Sequence, residues 1–355
     1  MAQPLEKVDR RDAKLALAHL FVAFTALALG GFAGLLQTLV RSGKFELPAG
    51  ISYYTILTTH GVLLGLVLTT FFIIGFQFAA VSRTTGALSD GSRRTGWIGF
   101  WLMTIGTAMS AFFILTGKAS VLYTFYAPLQ AHAGFYIGLA LVVVGSWVSG
   151  FAMFAHYARW RKTHRGQVSP LLAFMSVTNM VLWLVCSLGV AATVVFQLIP
   201  WSLGLTDRVN VLLSRTLFWY FGHPLVYFWL LPAYMVWYAV IPKVIGGKMF
   251  SDSLARLAFI LFLLFSIPVG FHHQLLEPGI SPFWKYVQVV LTFMVIIPSL
   301  MTAFAMFATF ESYGRSQGAT GLVRLAAETP VERRPLFRPV CRNAVFYSGR
   351  HRRDY

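Results

Sequence analysis

The sequence predicts an all-α fold, a polytopic transmembrane bundle of about eight spanning helices. Three observations predict it. The chain has 355 residues, of which 57% are hydrophobic and 12% charged, with a mean hydropathy of +0.67. Soluble domains carry about 25% charged residues, so the ordinary globular class is excluded. Apolar segments recur along the whole chain, each near the length that crosses a bilayer core of about 30 Å at 1.5 Å per residue. Finally, the basic residues gather in alternate connections between those segments.

The segments fall near residues 14–40, 54–81, 96–117, 131–156, 170–199, 211–241, 255–275 and 285–310. The first follows a mixed-charge stretch holding Lys7, Arg10, Arg11 and Lys14. It is too long for a cleaved signal peptide, and no small-residue cleavage site precedes the second segment. Arg83, Arg93 and Arg94 separate the second from the third. Arg159, Arg161, Lys162 and Arg165 separate the fourth from the fifth, and Lys243 and Lys248 the sixth from the seventh. The intervening connections hold little beyond Arg41, Lys44, Lys118, Arg208 and Lys285. The positive-inside bias then places the N-terminus in the cytoplasm. The weakly basic connections are rich in Trp, Tyr and Pro ("YTFYAPLQ", "IPWSLGL", "EPGISPFWKY"), the composition of structured caps at the outer interface. This divides the chain into a cytoplasmic N-terminal segment (1–13), a transmembrane domain (14–310) and a basic cytoplasmic tail (311–355).

Charge and cysteine content narrow the function. The formal charge of +17 reports loops facing an anionic leaflet, and nucleic acid is not an expected partner. Two distant cysteines, Cys186 and Cys341, make neither a disulfide framework nor a thiolate site. No internal repeat of the kind found in inverted-repeat transporters is visible.

The histidines carry the chemistry. Of nine, His19 reads as a packing or hydrogen-bonded residue near the cytoplasmic end of the first span. His132 opens the fourth span at the interface. His156 and His164, at or beyond a cytoplasmic helix end beside arginines, read as solvated or interfacial, and His351 lies in the tail. His60 in "LTTHGVLLGLVLTT", His223 in the sixth span, and His272 and His273 in "GFHHQLLEPG" differ, because all four lie among apolar residues at similar depth on the outer side. Polar groups retained at such depth face the bundle interior and serve function. Each taken singly is equally a hydrogen-bonded structural histidine. An adjacent pair diverging by about 100° on a helix, joined by a third imidazole, can close a trigonal nitrogen site suited to copper, zinc or iron.

The segments "GHPLVYFWLLPAY", "PVGFHHQLLEPGISPFWK", "PSLMTAF" and "THGVLLGL" resemble subunit I of the heme–copper oxygen reductases. The likeness is to the B-type branch of the cytochrome c oxidases, over residues 12–325. It implies that His223, His272 and His273 hold the active-site copper and that His60 is one axial ligand of the low-spin heme iron. Leu225 stands where the A-type branch carries Glu. Tyr227 lies at i+4 from His223, on the same helix face. In the family this tyrosine is covalently joined to that histidine and supplies an electron and a proton when the O–O bond breaks. Tyr234 and Tyr238 continue its face towards the cytoplasm, and Ser299 and Thr302 are i, i+3 neighbours on the eighth span. Hydroxyls both donate and accept, so such a line can relay protons. Serine and threonine in membrane helices more often bond their own backbone or a neighbouring helix, but the resemblance implies a proton pathway through Tyr227, Tyr234, Tyr238, Ser299 and Thr302.

The resemblance further implies a low-spin and a high-spin heme, one copper ion, and a partner subunit II with its own copper centre. It implies cytochrome c or a similar electron donor, dioxygen as substrate, and residence among lipids of a bacterial or archaeal plasma membrane. Two alternatives stand: a nitric-oxide reductase large subunit, which lacks the counterpart of Tyr227, and a non-redox transporter or scaffold. The family's His-x-His motif, which supplies the remaining heme ligands, does not occur in these 355 residues. The arginine-rich tail reads as a C-terminal truncation, out of frame from a point between about Gly321 and Arg333 onward. Reading Arg338 to Asp354 from the second codon base permits an apolar, glycine-containing segment instead. The chain by itself is therefore expected to be inactive.

Overall fold

The computed structural model describes residues 8–318, which form helices joined by turns and irregular connections, with no strand among them. The helices are α1 (Arg10–Arg41), α2 (Tyr53–Thr85), α3 (Asp90–Leu115), α4 (Ala133–Thr163), α5 (Leu171–Ser202), α6 (Val211–Ile245), α7 (Asp252–Ser266) and α8 (Pro282–Ser316). Seven are long and apolar enough to cross a membrane, and α7 becomes the eighth if the bent turn that follows it, Pro268–Gln274, is counted with it. The chain is a multi-pass membrane protein. Its outward faces carry large apolar side chains such as Phe21, Phe32, Trp101 and Phe196, as lipid requires.

Helix ends fall where local chemistry sets them. Ser52, Ser89, Asn210 and Ser251 cap α2, α3, α6 and α7, each accepting a backbone N–H from three residues on. Asp9 caps α1, accepting from the Arg11 N–H at 2.8 Å, and that bond holds its carboxyl below the usual range. Helices α1 and α8 reach beyond the expected 14–40 and 285–310, because capping and amphipathic end turns carry a helix past its apolar run. The proposed change of reading frame lies in 319–355, outside the described residues.

The tightest seam joins α3 to α4 through small residues. A Cβ on Gly106 would sit 2.5 Å from the Gly138 carbonyl oxygen, and one on Gly138 would sit 2.7 Å from that of Gly106. Gly99 and Gly145 repeat the arrangement one heptad away, at 2.6 and 2.7 Å. Backbones approach this closely in a membrane only where side chains are absent.

At the end of the bundle where α1 begins, a buried carboxylate ties three elements together. Asp12, fully buried, accepts from Ser82 Oγ at 2.6 Å, the Leu88 N–H at 2.8 Å and Arg93 Nε at 2.7 Å. At the opposite end the α3–α4 connection behaves as a cap: Val121, Phe125 and Ala127 are buried, and the Leu122 N–H donates to Thr58 Oγ1 at 2.9 Å. Beneath this cap stand the deep histidines.

Candidate metal centre

Two proline-marked elements build the site. Helix α6 carries His223 and Tyr227 on one face, with Pro224 directly after the histidine. Helix α7 stops at Ser266, and Pro268 opens a 3-10 turn, Pro268–Gln274, bent 46° from the helix. Proline lacks the N–H that would continue the α-helical ladder and its ring crowds the preceding turn, so the break falls there. His272 and His273 therefore project from a 3-10 turn, where successive residues diverge by about 120°, and not from the α-helix the sequence suggests. Gly270 admits this turn to α6: a Cβ there would stand 2.1 Å from the Trp219 carbonyl oxygen.

The close approach brings the three imidazoles together. His223 Nδ1 and His273 Nε2 are 3.2 Å apart, and one ring nitrogen from each of His223, His272 and His273 lies within 4.8 Å of the others. Ring centroids are 4.3 Å apart for His223–His272 and 4.5 Å for His272–His273. Nitrogens about 2 Å from a shared ion at trigonal angles stand roughly 3.5 Å from one another. The shortest pair is already at that spacing, and the rest need only a small closure. An all-imidazole donor set fits copper, iron or zinc and disfavours calcium and magnesium, which take oxygen ligands.

The surrounding side chains hold the rings. Tyr227 Oη lies 2.9 Å from His223 Nε2, which leaves Nδ1 to face the other histidines. Trp219, one turn before His223 on α6, stacks on His273 with centroids 3.9 Å apart. Arg215, on the same helix, pairs with Glu277 at 2.6 Å and pins the loop after the histidines to α6. These partners were not singled out from sequence, although the i−4 placement of Trp219 relative to His223 was a usable signal.

His60 stands apart from the trio, on α2 against α1. Its Nδ1 lies 2.9 Å from the Gly30 carbonyl oxygen and acts as the donor there, since a carbonyl only accepts. Gly34 completes the cradle: a Cβ on it would come 2.7 Å from His60 Nδ1 and 2.8 Å from Cε1. Among the described residues Nε2 takes no hydrogen bond, so its lone pair remains for an iron, and the residues fit an axial heme ligand. A π-helical stretch, Leu63–Leu68, follows at once, a distortion frequent beside functional residues.

Of the hydroxyl line, Tyr234 and Tyr238 on α6 and Thr302 on α8 are buried, while Tyr227 and Ser299 are half-buried. Phe262 of α7 packs against both Tyr227 and Tyr234. Thr302 is the side-chain neighbour of Tyr238, and neither hydroxyl makes a direct hydrogen bond within 3.5 Å. Buried hydroxyls so placed are satisfied by ordered water. Ser299 forms no side-chain hydrogen bond among the described residues.

The remaining histidines among the described residues, His19, His132, His156 and His164, are structural, with one departure from expectation. His19 is buried, bonds the Leu15 carbonyl at 2.8 Å and is ringed by Phe71, Phe78 and Phe100. His132 caps α4 and stacks on Phe113, and His164 stacks on Trp160. His156, expected to be solvated or interfacial, is instead buried, with Nε2 2.9 Å from Thr85 Oγ1. The threonine on α2 partners Nε2 alone, and Nδ1 is buried with no hydrogen-bond partner among the described residues.

Comparison with known proteins agrees with this geometry. A family model described as "Cytochrome C and Quinol oxidase polypeptide I" matches residues 14–325. "Cytochrome c oxidase subunit 1" of Thermus thermophilus is 41% identical over 345 residues, covering 95% of this chain and 61% of that protein. "Heme-copper oxidase subunit I+III" of Aeropyrum pernix is 26% identical over 322 residues, covering 85% of this chain and 38% of that protein. A solved heme-copper terminal oxidase dimer superposes with a TM-score of 0.83 at 43% identity, over 87% of this chain and 54% of the matched chain. The chain thus spans about three-fifths of its Thermus relative. It belongs to the cytochrome c and quinol oxidase polypeptide I family, subunit I of the heme–copper oxidases.

Proposed function

We propose that this chain is the metal-bearing core of the catalytic subunit of a terminal respiratory oxidase. The reaction is reduction of dioxygen to water with electrons from cytochrome c, coupled to proton uptake and translocation. The observation that carries it is the convergence of His223, His272 and His273 with the Tyr227 hydroxyl 2.9 Å from His223 Nε2. When bound, the copper and hemes supply dioxygen binding and electron transfer. The chain's own residues hold and serve them. His223, His272 and His273 present three imidazole nitrogens to one ion, and His60 presents Nε2 to the low-spin heme iron. Tyr227 keeps a dissociable proton beside the site. Tyr234, Tyr238, Ser299 and Thr302, with water, bring protons through hydrocarbon where no charged group stands.

Three finer readings belong with this one. Leu225, standing in place of the A-type glutamate, supports the B-type branch. The phenol of Tyr227 argues against nitric-oxide reduction, and the histidine trio against a transporter or scaffold. Arg83, Arg93, Arg159 and Lys243, in the helix turns that flank alternate connections, support a plasma-membrane orientation with the N-terminus inside. An oxidase subunit II with its copper centre and a cytochrome c are the implied partners. Oxygen uptake with reduced cytochrome c, by a full-length subunit that carries the family's His-x-His segment and is purified with its partners, tests the proposal; nitric-oxide consumption without oxygen uptake contradicts it.

The cradle of His60 yields a direct prediction. Gly34→Ala places a methyl group less than 3 Å from the imidazole, so the ring must turn away from the Gly30 carbonyl. In a full-length subunit that carries the family's His-x-His segment, the expected result is loss of the low-spin heme absorption bands with the copper held by the histidine trio unchanged. An unaltered spectrum contradicts the assignment of His60.

A further inference from the structure

We infer that Thr292 on α8 is a positioning residue for the metal centre, selecting which nitrogen of His272 faces the ion. The inference rests on the proposed copper site and adds to it a residue outside the ligand set. Thr292 Oγ1 lies 2.7 Å from the Gln288 carbonyl oxygen and 3.0 Å from His272 Nδ1. A hydroxyl has one proton. The carbonyl accepts and never donates, so that proton goes to Gln288, and the bond to His272 must be donated by Nδ1–H. The imidazole is thereby held as the Nδ1–H tautomer, with its lone pair on Nε2, the nitrogen left for the ion.

The neighbouring ring is held the opposite way. His223 has Nε2 against Tyr227 and Nδ1 towards His273. Two of the three ligands therefore have their ring orientation fixed by hydrogen bonds that need no metal, one by a phenol and one by Thr292. Bonding the carbonyl four residues back is the common behaviour of threonine in membrane helices, as Thr25 and Thr104 show here. Thr292 differs because its remaining lone pair meets a ligand imidazole. Thr85 makes the same two bonds to Val81 and His156, which shows that the construction is within reach of this fold. The turn bearing His272 is 3-10, with poorer backbone hydrogen bonding than an α-helix, so an outside restraint on its ring has more to do. Outer-shell partners of this kind are worth about 10–100-fold in metal affinity.

The test is copper retention against a copper(I) chelator, measured on the purified holoprotein with heme absorption as the control for folding. Thr292→Val keeps the shape and removes the hydroxyl, Thr292→Ala guards against misfolding of the valine variant, and Thr292→Ser restores the hydroxyl. The expected result is about 10–100-fold weaker copper retention in the valine and alanine variants, recovery to within a few-fold of the parent in the serine variant, and unchanged heme bands. Parent-like retention in the valine or alanine variant overturns the inference, as does a serine variant as weak as valine. A parent protein that binds heme but no copper instead overturns the metal-centre reading itself.

Discussion

Tyr227→Phe, made in a full-length subunit that carries the family's His-x-His segment, is expected to lower dioxygen turnover by at least about 100-fold while heme and copper content stay at parent levels. The substitution removes one oxygen and nothing else. The ring remains wedged against Phe262, so packing between α6 and α7 is preserved. What disappears is the proton and hydrogen bond 2.9 Å from His223 Nε2. Loss of a positioned proton donor typically costs about 10²–10⁴-fold, and here the phenol is also the first member of the hydroxyl line through Tyr234, Tyr238 and Thr302. Parent-like turnover shows that the phenol only packs.

His272→Ala and His273→Ala are each expected to empty the copper site. Removal of a direct ligand exceeds the about 10–100-fold cost of an outer-shell change, so the copper held by this chain should fall to trace levels after dialysis, leaving only that of subunit II. Low-spin heme should persist in both, because His60 sits on α2 against α1, away from the bent turn. The two variants should behave alike although His273 is exposed and His272 half-buried, since ligation depends on direction and not on burial. Full copper content in either variant would remove that residue from the ligand set.

Much of this architecture was legible in the sequence. Spans are set by bilayer thickness and by the need to satisfy backbone groups within the helix, and both leave long apolar runs that hydropathy detects. His223 and Tyr227 could be paired because a four-residue spacing has one meaning on a helix. The geometry of His272 and His273 could not. Pro268 breaks α7 and Gly270 admits the turn to the Trp219 carbonyl, so the angle between the rings follows from a tertiary contact with a helix about 50 residues earlier. His156 was misread for the same reason: its burial depends on Thr85, distant in the chain. Gly30 and Gly34 carry a small-residue spacing that signals close approach, but nothing local says that the approaching group is His60. Thr292 leaves no signal at all, because its role lies in the second lone pair of an otherwise ordinary membrane threonine.

X-ray absorption at the copper edge, on protein purified from membranes, measures the central claim most directly. With subunit II removed, one copper per chain with three imidazole nitrogens at about 2 Å is expected, with loss of that signal when His223, His272 or His273 is replaced. Absence of copper from heme-containing protein, or a copper environment unaltered by all three substitutions, contradicts it.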